Sequence, residues 1–211
     1  MVRITEVSTL LTDYLLGATG LFFGYHVWNI ATLHPNPIPL YCWAITFFLL
    51  AAAAIIGGTY HGFHESVKQK TAQAMWRSTV YLAALASCTL LLASAFSTLH
   101  GVGLVIVLAF SFGKCGWTLL RLQRAHQFRV VIYDYALSLA GLVVVYSMWS
   151  SWGVASWMLA GTGVMILGSV VQLCKVTPHR HFNHNDLYHV FQIIALCLFY
   201  TGVRAWAFFL Y

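Results

Sequence analysis

Phe182-Asn183-His184-Asn185-Asp186-Leu187-Tyr188-His189-Val190-Phe191-Gln192 opens an apolar run that continues to Tyr211. A stretch of about 20 predominantly apolar residues is enough to cross a bilayer as a helix. Two histidines, an aspartate and two asparagines therefore stand where a membrane-spanning helix begins. Ionisable groups at such a place are costly, so they ordinarily have partners and a task. A second polar stretch far upstream supplies partners: Gly57-Gly58-Thr59-Tyr60-His61-Gly62-Phe63-His64-Glu65.

The rest of the chain has the same character. Of its 211 residues 60% are hydrophobic and 8% charged, against about 25% charged in a soluble domain. This composition leaves little room for a separate soluble domain. Fourteen Phe, eleven Tyr and eight Trp suit a bundle with aromatic belts at the membrane interfaces. The formal charge of +6 does not point to nucleic acid, because the basic residues fall in short loops between apolar runs. Cys42, Cys88, Cys115, Cys174 and Cys197 show no C-x-x-C spacing and read as small hydrophobes in a reduced setting. The first twelve residues lack the short apolar core and small-residue cleavage site of a signal peptide.

Seven apolar segments follow, near 10–32, 40–61, 76–97, 101–120, 130–150, 153–174 and 186–208. The expected fold is all-α, one seven-transmembrane helix bundle over 1–211. Pro35, Pro37 and Pro39 break the first pair of segments. The stretch from Gly62 to Met75 reads as a polar loop. With seven spans, the N-terminus shares a side with Lys68, Lys70, Arg77, Arg121, Arg124, Arg129, Lys175 and Arg180, as well as Arg3. Arg204 alone falls on the other side, and Lys114 reads as snorkelling toward the basic one. The positive-inside rule then predicts an integral membrane protein with its N-terminus cytoplasmic and its C-terminus outside.

In this topology Asp13, Glu65, Asp134 and Asp186 gather at one depth, with Glu6 set apart in the N-terminal tail. Helix capping is the plain alternative for each acid that opens a helix. The histidines argue for more. Asp186 and His189 are three residues apart and share a helical face, as do His61 and His64; Asn185 and His189, four apart, also share one. A carboxylate and a His at this spacing on facing helices can build a metal site in a bundle. Imidazole and carboxylate suit Zn²⁺. His184 reaches inward if it precedes the helix and Asn183 or Asn185 is the cap. Gly57 and Gly58 either let helices approach closely or clear space for a substrate beside His61, where Thr59 offers a hydroxyl.

Seven spans, His61 near the end of the second and Asn185-Asp186-Leu187-Tyr188-His189 opening the seventh resemble the CREST superfamily. That group includes alkaline ceramidases, adiponectin and progestin receptors and hemolysin III-like proteins. The resemblance covers the topology, but residue matches are confined to the two polar stretches. It implies a zinc ion held by one His of the second span and two of the seventh, spaced H-x-x-x-H, and hydrolysis of lipid amides by zinc-activated water. His61 matches the first ligand and His189 the last. Asn185 stands at the middle position with His184 one residue away. Gly57 stands where the family has Ser, and the third span opens without its Asp. A bacterial branch of the group, in the inner membrane, fits this pattern.

Two classes of function follow. One is a zinc-dependent lipid amide hydrolase: His61, His189 and His184 as metal ligands, Asp186, Asp134 or Asp13 as general base, and Arg77 on an anionic headgroup or developing oxyanion. Gly57, Thr59 and Asn185 would line its substrate pocket, and its partners would be membrane lipids. The alternative is a non-enzymatic membrane sensor or binding protein on the same fold. A b-type haem protein pairing His61 with His189 is a weaker option, and no inverted repeat or broken helix supports a transporter.

Overall fold

The computed structural model describes residues 4–209. Arg3, counted above for orientation, and the last two residues of the run to Tyr211 lie outside that range. Seven helices follow in order: α1 (Val7–Leu33), α2 (Ile38–Phe63), α3 (Gln69–Thr98), α4 (Gly101–Arg124), α5 (Phe128–Trp149), α6 (Trp152–Cys174) and α7 (His184–Phe209). Each is long and apolar enough to cross a membrane. The protein is an all-α seven-helix bundle.

Helix ends follow local chemistry. Pro37 caps α2 and Pro39 lies in its first turn, where an absent N–H breaks no helical bond. Lys175 closes α6 in the left-handed conformation, φ 53°, with Val176 N–H donating to Val171 O and Lys175 N–H to Gln172 O. That pair of bonds is the Schellman closure, here without its usual glycine. The largest departure from expectation is α3, which starts at Gln69 rather than near 76. Gln69, Lys70 and Gln73 are sound helix formers, and a search for apolar runs passes over them because they are polar.

Consecutive helices pack side by side, and α7 returns to α1, so the bundle closes. Its core holds Trp43, Phe47, Leu91, Leu142, Tyr146, Met158 and Leu196. The α1–α2 contact is close: a Cβ on Gly58 would lie 2.7 Å from Asp13 Cβ. Such an approach is possible only without a side chain, the usual role of small residues between membrane helices.

α4 sits at the periphery against α3 and α5. Here Lys114 departs from expectation. It does not snorkel: it is buried, and its Nζ donates to Asp134 Oδ1 at 2.8 Å and to Ser87 Oγ at 3.1 Å. Thr118 Oγ1 also donates to Asp134 Oδ1, at 2.7 Å. A charge inside a bundle is tolerable only when paired, and α4 and α5 supply the pair.

Candidate functional site

The chain preceding α1 docks on the end of α2. Thr5 N–H donates to Gly62 O at 3.1 Å and Glu6 N–H to His61 O at 3.4 Å. The last carbonyls of a helix have no partner within it, and these bonds supply partners for two of them. The docking also sets Glu6 Oε2 3.2 Å from His61 Nδ1, within ion-pair distance but off the hydrogen-bond direction.

One turn in from Glu6 is Thr9, and one further is Asp13, so all three share a face of α1. Thr9 Oγ1 donates to Asp186 Oδ1 at 2.6 Å across to α7. Asp13 Oδ1 lies 3.2 Å from His189 Nε2, while the other ring nitrogen of His189 is hydrogen-bonded to Thr12 Oγ1 at 3.0 Å. α1 and the cap residue before it therefore supply an acid for each of the two histidines singled out by sequence.

The beginning of α7 is a capping box. Asn183 Oδ1 accepts from the Asn185 N–H at 2.7 Å, and Asp186 Oδ2 accepts from the Asn183 N–H at 2.8 Å. This reciprocal arrangement satisfies donors at the helix start. With Oδ1 taken by Thr9, both oxygens of Asp186 are engaged, and the residue is fully buried.

Between these groups lies a cavity of about 120 Å³, with room for several water molecules. Asp13, His61, His189, Thr79, Gln172 and Asn185 give it a polar end. Leu16, Leu50, Ala53, Ala54, Ala83 and Val131 give it an apolar arm. From His61 back to Leu50 the cavity follows α2 for about 16 Å at 1.5 Å per residue. Trp76, Phe128, Tyr135 and Tyr188 add aromatic walls. Trp76 is fixed there by its Nε1–H, which donates to His126 O at 2.7 Å.

The structure thus brings together Asp13, His61, His189, Gly57 and Asn185 of the residues expected at the site. Asn185 Oδ1 accepts from Gln172 Nε2 at 2.9 Å. Gly57 stands between Asp13 and α3, where an added Cβ would lie 3.2 Å from Thr79 Cγ2. The others lie elsewhere. His184 is not part of the cavity wall. Thr59 faces outward, hydrogen-bonded to Tyr14 at 3.0 Å. Arg77 is exposed. Asp134 belongs to the Lys114 pair, and Asp186 to the helix cap.

Sequence reading missed Glu6, Thr12, Thr79, Tyr135, Gln172 and Gln192. Gln172 and Gln192 were detectable as amides inside apolar segments. Glu6 lies seven residues before Asp13, two turns along one face, but its contact with His61 is tertiary and has no signal in the spacing.

Zinc is a poor fit for these residues. No group of three or more His, Cys, Asp or Glu side chains among the described residues is arranged to hold a metal ion. His189 has Thr12 on one ring nitrogen and Asp13 on the other. That same occupancy disfavours haem ligation by His189.

Fold and site together define a seven-helix protein of membrane type with an acid–histidine cavity at one end. A family model described as "Family of unknown function (DUF6962)" matches residues 8–207, and the chain belongs to that family. No curated protein and no solved structure matches the chain.

Proposed function

We propose that this chain is a non-enzymatic membrane binding protein or sensor whose bundle takes one amphipathic small molecule, polar end toward Asp13 and apolar end toward Leu50. One observation carries the reading. Among the described residues, Asp13 Oδ2, His61 Nδ1, Tyr135 OH and Gln172 Oε1 are buried without a hydrogen-bond partner, and all four residues line the same cavity. Leaving a buried polar atom unpaired costs about 1–3 kcal/mol. Four such atoms around one space are accounted for by a guest that bonds to them. The hydrolase reading has less support, since His184 lies outside the cavity and His189 is engaged at both ring nitrogens. We place the cavity end in the cytoplasm, following the positive-inside rule.

The test is native mass spectrometry of protein released from lipid nanodiscs, wild type beside Ala54→Phe, which fills the apolar arm. A small amphiphile bound to the wild type and reduced in the variant is expected. Equal binding to both, or none to either, overturns the reading. Elemental analysis runs alongside: about one zinc per chain, lost in His189→Ala, would restore the hydrolase.

A further inference from the structure

We propose that the guest's polar end is a protonated amine, and that the cavity selects cationic amphiphiles over neutral and anionic ones. The proposal rests on the binding reading above and names its ligand class. It starts from charge. Among the described residues, no Lys or Arg lines the cavity. Arg77 is exposed and Lys114 is committed to Asp134. An anionic head would therefore meet Asp13 with no Lys or Arg to offset it, while the imidazoles of His61 and His189 already stand beside Glu6 and Asp13, an unfavourable pairing in a low-dielectric site.

Hydrogen bonding points the same way. Asp13 Oδ2 and Gln172 Oε1 are acceptors, Tyr135 OH can accept as well as donate, and the fourth unbonded atom, His61 Nδ1, faces Glu6. Asp13 is only 4% exposed and so is Tyr135. An ammonium group carries three donors and no acceptor, the complement of this set. A hydroxyl head brings a single donor and leaves acceptors unmet.

The walls agree with a cation. Trp76, Phe128, Tyr135 and Tyr188 surround the polar end, and aromatic faces attract ammonium groups at close range. A hydrated metal ion would gain nothing from the apolar arm of Leu16, Leu50, Ala53 and Ala54. An alkyl chain would fill it.

The probes are n-hexylamine, 1-hexanol and hexanoate, one chain length with three heads. Binding to the protein in lipid nanodiscs is measured by titration calorimetry, with empty nanodiscs as the partition blank. Hexylamine is expected to bind about tenfold more tightly than hexanol, the typical gain of a hydrogen bond to a charged group over a neutral one. Hexanoate is expected not to bind measurably. Asp13→Asn, nearly isosteric, should abolish the preference for the amine while hexanol still binds. Gln172→Glu, which adds a second carboxylate, should sharpen it.

The outcomes separate the two claims. Hexanol or hexanoate binding as well as hexylamine, with binding lost in Ala54→Phe, overturns the amine assignment and leaves the binding cavity standing. Binding of no probe to the wild type overturns both. Amine preference unchanged in Asp13→Asn and in Gln172→Glu also overturns the assignment.

Discussion

At the scale of single residues, the site depends on what stands next to Asp13. Its carboxylate reaches His189 with one oxygen and the cavity with the other. Its backbone is held close to α2 because Gly58 has no side chain. Gly58 and the adjacent Gly57 make different demands. A Cβ at Gly58 would meet Asp13 Cβ at 2.7 Å, too close unless α1 shifts. A Cβ at Gly57 would meet Thr79 Cγ2 at 3.2 Å and point into the cavity. Gly58→Ala should therefore destabilise the fold by about 1–3 kcal/mol, the usual cost of overpacking. Gly57→Ala should cost less stability but weaken hexylamine binding by shrinking the polar end. Chemical unfolding and calorimetry on both variants check the pair, and equal stability loss would contradict it. How far the site was legible follows from the same residues. His61 and His189 stood out because imidazoles are rare in apolar runs. Asp13 stood out with them as an acid opening a span, but Glu6 did not. Glu6 reaches His61 only because the chain before α1 docks on α2, a tertiary contact that no spacing announces. Asp186 looked like a ligand three residues from His189, yet Asn183 three residues before it made it a helix cap.

At the scale of elements, α4 is the helix least enclosed by its neighbours, and its polar ties include the Lys114–Asp134 pair with Thr118 beside it and the Ser111 hydroxyl, which donates to Cys88 O at 3.2 Å. The expected snorkelling of Lys114 failed because a partner acid faces it on α5, and pairing inside the bundle outweighs the reach to water. The number and order of the helices, in contrast, were readable, since apolar run length is a direct record of bilayer thickness. The early start of α3 was not, because its first turns use polar helix formers. The ion pair supports a sharp test. Removing one partner leaves an uncompensated buried charge, at a cost of about 3–5 kcal/mol. Lys114→Met and Asp134→Leu should each destabilise the protein by that order. The double variant, which removes both charges, should be less destabilised than the sum of the singles by more than 1 kcal/mol, roughly the threshold for direct coupling. Reversible unfolding in mixed micelles measures all four corners of the cycle. Strict additivity would mean the two residues act independently and that α4 is held without the ion pair.

At the scale of the whole molecule, charge asymmetry and cavity position coincide. Lys68, Lys70, Arg121, Arg124, Arg129, Lys175 and Arg180 flank helix ends on the side where α1 begins. Asp13, His61 and His189 lie just inside that same end. At the opposite end Arg204 rests over the rings of Tyr200 and Phe208, 5.8 Å from each centroid. Lys and Arg retained on the cytoplasmic side orient a membrane protein, so the orientation and the route to the cavity are one question. The proposed arrangement is tested in a background with the five native cysteines replaced. Lys70→Cys and Lys175→Cys, on the basic side, should react with a membrane-impermeant maleimide only after the membrane is opened. Asn36→Cys and Ser151→Cys, in turns at the other end, should react on intact cells. This pattern would put the mouth of the cavity within reach of cytoplasmic solutes and of the inner leaflet. The reverse pattern would place Asp13 and both histidines at the outer face. The same acid–histidine cavity would then sample extracellular amphiphiles, and the basic loops would have to be held outside against the force that ordinarily retains them.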